Sequence, residues 1–183
     1  MNKAVFLDRD GVVNKAVIKN GKPIPPKNLQ NLELTEGVLA LLNSLKKEGF
    51  ILLVITNQPD VARKKIDKSV VEEINKYLID TLPIDEIKTC FHDDIDNCNC
   101  RKPLPGLIYE AAQTYNIDLK TSYFIGDRWK DISAGYSANC KTIFIDYGYD
   151  EVNDIKADFT TFNLKDAVNI IIEDKREKDG IFR

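Results

Sequence analysis

Short apolar runs alternate with helical patterns along most of the chain. Residues 51–55 (Ile-Leu-Leu-Val-Ile) are apolar at every position, which is typical of a parallel strand covered on both faces. In Val38–Lys47 the apolar residues instead recur at helical spacing, and Gly49 can end that helix. The same reasoning predicts strands at 4–7, 51–55, 87–91, 123–125 and 142–145, and helices at 38–47, 70–82, 107–115, 132–138 and 164–173.

This alternation indicates an α/β fold, a Rossmann-like three-layer sandwich with a central parallel sheet and helices on both faces. The length of 183 residues fits a single domain over 1–183, and we find no internal repeat or linker. The segment 15–31 contains Gly and Pro and is predicted to be a loop, which either borders a site or is a plain surface connection. The Lys- and Glu-rich tail from Lys175 is predicted to be frayed.

Composition narrows the classes of partner. The formal net charge is −3 and the sequence pI is about 5.3, so a broad basic surface for nucleic acid is not expected. No run of about 18 apolar residues is present, and the apolar start before Asp8 is too short for a signal peptide. We therefore expect a cytoplasmic protein, by default a monomer, that acts on small molecules and not at a membrane.

Polar side chains follow four of the predicted strands at the point where each strand ends. Ligands of open α/β sheets bind outside the carboxyl ends of the strands, so these side chains are expected to meet. They are Asp8 and Asp10 after the first strand, Thr56, Asn57 and Gln58 after the second, Arg101 and Lys102 after the third, and Asp127, Arg128 and Asp131 after the fourth. One polar strand end means little, whereas four with complementary chemistry indicate a site.

The chemistry of this set fits phosphoryl transfer. The Asp8 carboxylate can attack phosphorus, and Asp10 can protonate the leaving oxygen and later take a proton from water. Mg²⁺ held by Asp8 and Asp127 can offset the repulsion between these carboxylates and a phosphate. Lys102 supplies a further positive charge, and the Thr56 hydroxyl can donate to a phosphoryl oxygen. An Asp-x-Asp-Gly stretch taken alone could also be a turn with Asx hydrogen bonds.

Other members of the set are candidates for substrate binding. Arg101 and Arg128 could hold a second anionic group, since guanidinium binds phosphate in a bidentate manner. Asn57 and Gln58, which follow the second strand, are further candidates. Asp131 is open to two interpretations, namely support of the metal site or the start of a helix, where a carboxylate is favoured.

Three of the four cysteines and the single histidine lie within eleven residues. Cys90-x-His92 and Cys98-x-Cys100 supply three thiolates and one imidazole, which is a closed ligand set for structural Zn²⁺. A disulfide framework would need an oxidising compartment, for which the sequence carries no signal. We therefore predict a zinc loop over 90–100 that fixes the following Arg-Lys pair, with unligated cysteines as the alternative. Cys140 is expected to be a small buried apolar residue.

Four segments resemble a known family. Phe-Leu-Asp-Arg-Asp-Gly-Val-Val-Asn at 6–14, Ile-Thr-Asn-Gln at 55–58, Cys-Arg-Lys-Pro at 100–103 and Ile-Gly-Asp-Arg-Trp-Lys-Asp at 125–131 are similar to the haloacid-dehalogenase (HAD) superfamily of phosphatases. The likeness covers about residues 3–150 and is most specific to the branch of heptose-bisphosphate and histidinol-phosphate phosphatases. It implies a HAD-like fold and a Cys/His zinc loop before Arg-Lys-Pro. The resemblance implies Asp8 as nucleophile and Asp10 as acid and base. It also implies that Asp8, Asp127 and the backbone carbonyl of Asp10 bind Mg²⁺. Thr56 and Lys102 would contact the phosphoryl group, and Arg101 would bind the substrate.

The intervals between the motifs leave no room for a folded cap domain, so we expect an open site beside segment 15–31 and the zinc loop. The activity that the resemblance implies is removal of the 7-phosphate of D-glycero-D-manno-heptose 1,7-bisphosphate in nucleotide-heptose biosynthesis. Departures from the branch at Pro59, Asp60 and Lys64 and after Asn14 leave the substrate open. The alternatives are histidinol phosphate or a nucleic-acid 3′-phosphate as substrate, and a zinc-stabilised phosphosugar-binding module without turnover.

Overall fold

A six-stranded parallel sheet forms the centre of the protein, in the strand order β5-β4-β1-β6-β7-β8. The computed structural model describes residues 1–19, 21–150, 156–178 and 180. The strands of this sheet are β1 (Ala4–Leu7), β4 (Ile51–Asn57), β5 (Glu86–Cys90), β6 (Tyr123–Gly126), β7 (Lys141–Ile145) and β8 (Phe159–Thr161). The helices are α1 (Val38–Lys47), α2 (Lys68–Thr81), α3 (Gly106–Tyr115), α4 (Trp129–Ser137) and α5 (Leu164–Lys178). The predicted α/β class with a central parallel sheet is confirmed.

Helices cover the sheet on both faces, which explains why its strands are apolar at successive positions. In β1, Val5 and Leu7 belong to one hydrophobic cluster, together with buried residues of α1, α2 and α5. Ala4 and Phe6 point to the opposite cluster, which is built with residues of α3 and α4. The side chains of a strand alternate between its two faces, so a strand covered on both sides has to be apolar throughout.

The segment between β1 and α1 differs from its prediction. Where a loop was expected, the antiparallel pair β2 (Val17–Lys19) and β3 (Lys22–Ile24) forms a hairpin, with Val17 opposite Ile24. The sequence holds an Asn-Gly pair at 20–21, which is a strong hairpin signal that the Pro-rich surroundings obscured. In the described residues this interval holds the hairpin and a 3₁₀ turn at Leu29–Asn31, and no cap domain, as predicted.

The C-terminal part also extends the predicted pattern. The strand β8 was not predicted. The helix α5 continues to Lys178, whereas it was predicted to end at 173, so residues 175–178 are helical where a frayed tail was expected. Asp174 explains part of this extension, because its carboxylate accepts hydrogen bonds from Tyr123 on β6 and Lys141 on β7. In the part of the chain that the structure describes, no helix combines the length and the apolar character needed to cross a membrane.

Candidate active site

The carboxyl ends of β1, β4 and β6 lie side by side, because β1 pairs with β4 on one side and with β6 on the other. The chain runs from β1 outward through β4 and β5 and then returns to β6, so the order of the strands reverses at β1. Ligands of open α/β sheets bind at such a switch point. Asp8 follows β1 directly, and its backbone N–H donates to the carbonyl of Ile125 on β6 at 3.0 Å.

Lys102 links two carboxylates at this point. Its Nζ lies 2.7 Å from Oδ1 of Asp8 and 2.6 Å from Oδ1 of Asp131, and it donates to the carbonyl of Ile55 at 2.6 Å. Burial raises the pKa of Asp8 to about 7, and the negative charge of Asp131 acts in the same direction, while Lys102 lowers it. Burial alone would lower the pKa of Lys102, but Asp131 and Asp8 outweigh it and raise that pKa.

Asp127 completes a group of three buried carboxylates with Asp8 and Asp131, with one oxygen from each within 4.8 Å of the others. No described residue donates a hydrogen bond of good geometry to either oxygen of Asp127, although the Tyr149 hydroxyl lies close enough to lower its pKa. Burial, and then the charges of Asp8 and Asp131, raise the pKa of Asp127 well above its ordinary value. Three carboxylates buried together are unfavourable without a cation, and oxygen ligands are those that Mg²⁺ prefers. The predicted magnesium ligands Asp8 and Asp127 therefore fit a divalent cation.

Gly11 leaves room for this carboxylate group. A Cβ built on Gly11 would lie 1.8 Å from Oδ2 of Asp127, and the φ of Gly11 is +98°, which side chains rarely adopt. Glycine at this position thus allows the loop after β1 to pass directly over Asp127.

The three predicted residues after β4 take different positions. Asn57 pairs with the backbone of Lys102, since its Nδ2 donates to the Lys102 carbonyl at 2.9 Å and its Oδ1 accepts from the Lys102 N–H at 3.1 Å. Gln58 is buried, and its Nε2 donates to Oδ2 of Asp10 at 2.8 Å and to the hydroxyl oxygen of Thr56 at 2.9 Å. Because that oxygen accepts from Gln58, its own hydrogen is available to a phosphoryl oxygen.

A cleft of about 70 Å³ opens above these groups. Its walls include six of the predicted site residues, namely Asp8, Asp10, Thr56, Asn57, Lys102 and Arg128. The hairpin contributes Pro23 and Ile24, which agrees with the expectation that segment 15–31 borders the site. Lys130, which was not among the predicted residues, also lines the cleft.

Arg101, a predicted substrate-binding residue, is not among the residues that line the cleft and is turned toward the zinc loop. Its Nε donates to Oδ1 of Asp94 at 2.8 Å, and Nη1 donates to the carbonyl of His92 at 3.3 Å. Asp131 fits both of its interpretations, because it pairs with Lys102 and its Oδ2 also accepts from the Arg128 N–H at the start of α4 at 3.0 Å.

The four predicted zinc ligands come together. Sγ of Cys100 lies 3.3 Å from Sγ of Cys90 and of Cys98, and 3.2 Å from Nδ1 of His92. These separations are too long for a disulfide, whose sulfurs are about 2.05 Å apart. They approach the separation of about 3.8 Å expected for thiolates on one tetrahedral Zn²⁺ with Zn–S bonds of about 2.3 Å. The ligand set and its geometry therefore fit zinc.

Sequence reasoning missed the groups that surround Asp10. Besides Gln58, the Nδ2 of Asn14 donates to Oδ1 of Asp10 at 3.0 Å, and Arg9 pairs with the same carboxylate. The sequence signal for these contacts is Arg9 itself, which lies between two aspartates directly after a buried strand. A cation at such a place has to be paired before it can be buried.

Comparisons with known proteins identify the family of this chain. The model of the HAD-hydrolase-like family matches residues 99–169. The D-glycero-beta-D-manno-heptose-1,7-bisphosphate 7-phosphatase of Helicobacter pylori (strain ATCC 700392 / 26695) is 38% identical over 146 residues, which cover 76% of this chain and 81% of that protein. The D-glycero-alpha-D-manno-heptose-1,7-bisphosphate 7-phosphatase of Campylobacter jejuni is 31% identical over 189 residues, which cover 97% of this chain and 98% of that protein.

A solved structure shows the same fold. The crystal structure of the D,D-heptose 1,7-bisphosphate phosphatase from B. bronchiseptica, complexed with magnesium and phosphate, covers 94% of this chain and 99% of that chain. Its TM-score is 0.77 at 24% sequence identity. The chain therefore belongs to the HAD-like phosphatases and, within them, to the family of the heptose-1,7-bisphosphate 7-phosphatases.

Proposed function

We propose that the protein hydrolyses a phosphomonoester through an aspartyl-phosphate on Asp8. The observation that carries this proposal is the position of Asp8 at the switch point of the sheet, between the amine of Lys102 and the carboxylate of Asp127. A nucleophilic carboxylate needs a neighbouring cation to approach a phosphate dianion, and Lys102 lies at hydrogen-bond distance from it.

The reaction then proceeds in two displacements at phosphorus. An Asp8 oxygen bonds to phosphorus while the bond to the substrate oxygen breaks, and Asp10 gives its proton to that leaving oxygen. Water next attacks the phosphorus, Asp10 takes the proton of that water, and the bond between phosphorus and the Asp8 oxygen breaks. Throughout, Lys102 and the Thr56 hydroxyl contact the phosphoryl oxygens and stabilise the charge that they carry.

Two metals are part of the proposal. Asp8, Asp127 and the backbone carbonyl of Asp10 would hold Mg²⁺, which when bound offsets the negative charge that the carboxylates and the phosphate bring together. Cys90, His92, Cys98 and Cys100 would hold a structural Zn²⁺. Among the described residues, the zinc loop supplies the partners of Arg101, namely Asp94 and the carbonyl of His92, so the role of this metal is to hold Arg101 and the adjacent Lys102 in place.

The substrate that we propose is D-glycero-D-manno-heptose 1,7-bisphosphate, with hydrolysis at the 7-phosphate. Support comes from the relatives, two of which carry this activity on opposite anomers. The cations around the cleft give further support, because a bisphosphate has a second anionic group for them to bind. Arg128 lines the cleft, and Arg101 would reach it by exchanging Asp94, an exposed partner, for that phosphate.

The test is phosphate release with Mg²⁺ from both anomers of heptose 1,7-bisphosphate, histidinol phosphate and a 3′-phosphorylated oligonucleotide. We expect kcat/KM to be at least about 100-fold higher for one heptose anomer than for the last two compounds. Asp8→Asn serves as the inactive control. A preference for histidinol phosphate or for the oligonucleotide would refute the heptose assignment and leave the phosphatase chemistry standing. Absence of turnover on every compound would favour a binding module.

A further inference from the structure

Arg9 is a charged side chain in the interior of the protein, with an exposed fraction of 0%. Its guanidinium contacts the neighbouring carboxylate at both oxygens, since Nη2 lies 3.0 Å from Oδ2 of Asp10 and Nε lies 3.3 Å from Oδ1. The remaining nitrogen, Nη1, donates to Oδ1 of Asn75 at 2.9 Å. A guanidinium is stable in such a place when it is paired and hydrogen-bonded, so Arg9 depends on both partners.

Asn75 connects this pair to two other elements. It lies on α2, and its Nδ2 donates to the hydroxyl oxygen of Thr89 on β5 at 3.0 Å. Because Arg9 can only donate, an Asn75 amide turned the other way would present its Nδ2 to the guanidinium and lose that bond, so Arg9 fixes the orientation of the amide. A continuous row of hydrogen bonds therefore runs from Thr89 through Asn75 and Arg9 to Asp10.

The carboxylate of Asp10 is held on both oxygens. Asn14 donates to Oδ1 and Gln58 donates to Oδ2, but each of them contacts one oxygen. Arg9 contacts both, and a planar guanidinium facing a carboxylate fixes the plane of that carboxylate as well as its position. Asp10 lines the cleft, so its orientation decides whether it can reach the oxygen of a leaving group.

We propose that Arg9 is a positioning residue for the phosphatase reaction, which orients Asp10 toward the leaving oxygen and is itself held by Asn75 on α2. The inference rests on the proposed acid and base role of Asp10. Arg9 is buried behind Asp10 and does not line the cleft, so its removal acts on proton transfer and leaves substrate binding intact. Since a good leaving group departs without a proton, the effect of Arg9 depends on the leaving group.

The test compares kcat/KM for phenyl phosphate and 2,4-dinitrophenyl phosphate, since this quantity reports the first displacement whatever the natural substrate is. Arg9→Lys keeps the charge but cannot contact both Asp10 oxygens and Asn75 together. We expect it to lower kcat/KM for phenyl phosphate by about 10- to 100-fold, and kcat/KM for 2,4-dinitrophenyl phosphate by no more than about 3-fold. Equal losses on the two compounds, or no loss on either, would overturn the proposal.

A second variant covers the case in which Arg9→Lys does not fold. Asn75→Ala removes the anchor and leaves Arg9 in place, and we expect a smaller loss, about 3- to 10-fold, again confined to phenyl phosphate. Thr89→Val is the matched control, because it removes the far end of the row while Asn75 still accepts from Arg9, so any loss should be smaller than in Asn75→Ala. A loss in the Thr89→Val variant as large as in Asn75→Ala would contradict the inference.

Asp10→Asn separates this inference from the proposed function. If Asp10→Asn retains full activity on phenyl phosphate, the role of Asp10 is wrong and the inference on Arg9 is wrong with it. If Asp10→Asn loses this activity while Arg9→Lys and Asn75→Ala keep it, the inference alone is wrong.

Discussion

The amine of Lys102 lies 2.7 Å from Oδ1 of Asp8, although 94 residues separate the two in sequence. Both side chains are almost completely buried, and a second carboxylate, that of Asp131, lies 2.6 Å from the same amine. The Lys102 cation therefore offsets part of the negative charge of two carboxylates at the end of β1. This compensation explains how an acidic protein can present a nucleophilic carboxylate to an anionic substrate.

Replacing Lys102 with Met tests this compensation. With the cation removed, Asp8 and Asp131 remain buried without a counter-charge, so we expect kcat to fall at least about 100-fold. The free energy of unfolding, measured by urea titration without added Mg²⁺ at pH 8, should decrease by about 3 kcal/mol. A buried carboxyl without its cation has a folded-state pKa above its unfolded value, so the variant loses stability as pH rises and the deficit should shrink toward pH 5. Exposed Lys120→Met is the control and should show neither effect.

Gly11→Ala tests the room left for Asp127. The new Cβ would lie 1.8 Å from Oδ2 of Asp127, so that carboxylate has to move and Mg²⁺ binding should weaken at least about 10-fold by titration calorimetry without substrate. Gly37→Ala is the matched control, because Gly37 also has a positive φ, of +68°, but a Cβ there meets nothing within 4 Å. It should cost about 1 kcal/mol of stability and leave Mg²⁺ affinity unchanged. Equal Mg²⁺ affinity in the two variants would count against a metal at Asp127.

Cys98→Ser tests the zinc loop. Loss of one thiolate should reduce the zinc content of the purified protein, and the loop that holds Arg101 should loosen, which lowers activity on a bisphosphate. Cys140→Ala is the control, since Cys140 is buried but is not one of the four clustered ligands, and burial raises its pKa to about 12. Elemental analysis should give about one zinc per chain for Cys140→Ala and the wild type. Zinc-free wild type with full activity would refute the structural zinc site.

Asp174→Asn tests the anchoring of α5. Burial raises the pKa of Asp174, but hydrogen bonds from Lys141, Tyr123 and Lys178 outweigh it and lower the pKa to about 2. A carboxyl with a lowered folded-state pKa stabilises the protein above its unfolded pKa of about 3.9, and this contribution is lost as pH falls toward 2. After allowance for solvent screening, we expect Asp174→Asn to lose about 1 kcal/mol at pH 7 in urea unfolding. The deficit should narrow below pH 4, and a deficit that stays constant down to pH 3 would contradict this assignment.

Sequence patterns predicted the parts of the fold that depend on local chemistry. The run at 51–55 and the spacing in Val38–Lys47 predicted β4 and α1, because strands and helices buried on a core carry these periodicities. Polar residues after the strands predicted the location of the site for a topological reason, since parallel strands end at one edge. Short elements with exposed side chains, such as β2, were missed because nothing in their hydrophobic pattern distinguishes them from loops.

Partnerships between distant residues could not be predicted in the same way. The sequence indicates that Arg9 needs a partner, but the contact with Asn75 depends on how α2 packs over the sheet. The pairing of Arg101 with Asp94 depends likewise on the path of the zinc loop. That path is determined by the metal ligands and cannot be predicted from the hydrophobic pattern. Such contacts decide specificity, which explains why the reaction was easier to predict than the substrate.

Phosphorylation of Asp8 during turnover can be detected by an acid quench. The protein is mixed with 2,4-dinitrophenyl phosphate and Mg²⁺, quenched within the first turnover, and digested for mass spectrometry. We expect one added phosphoryl group on the peptide that contains Asp8, in the wild type and not in Asp8→Asn. A phosphoryl group on another residue, or substantial turnover by Asp8→Asn, would contradict an aspartyl-phosphate on Asp8.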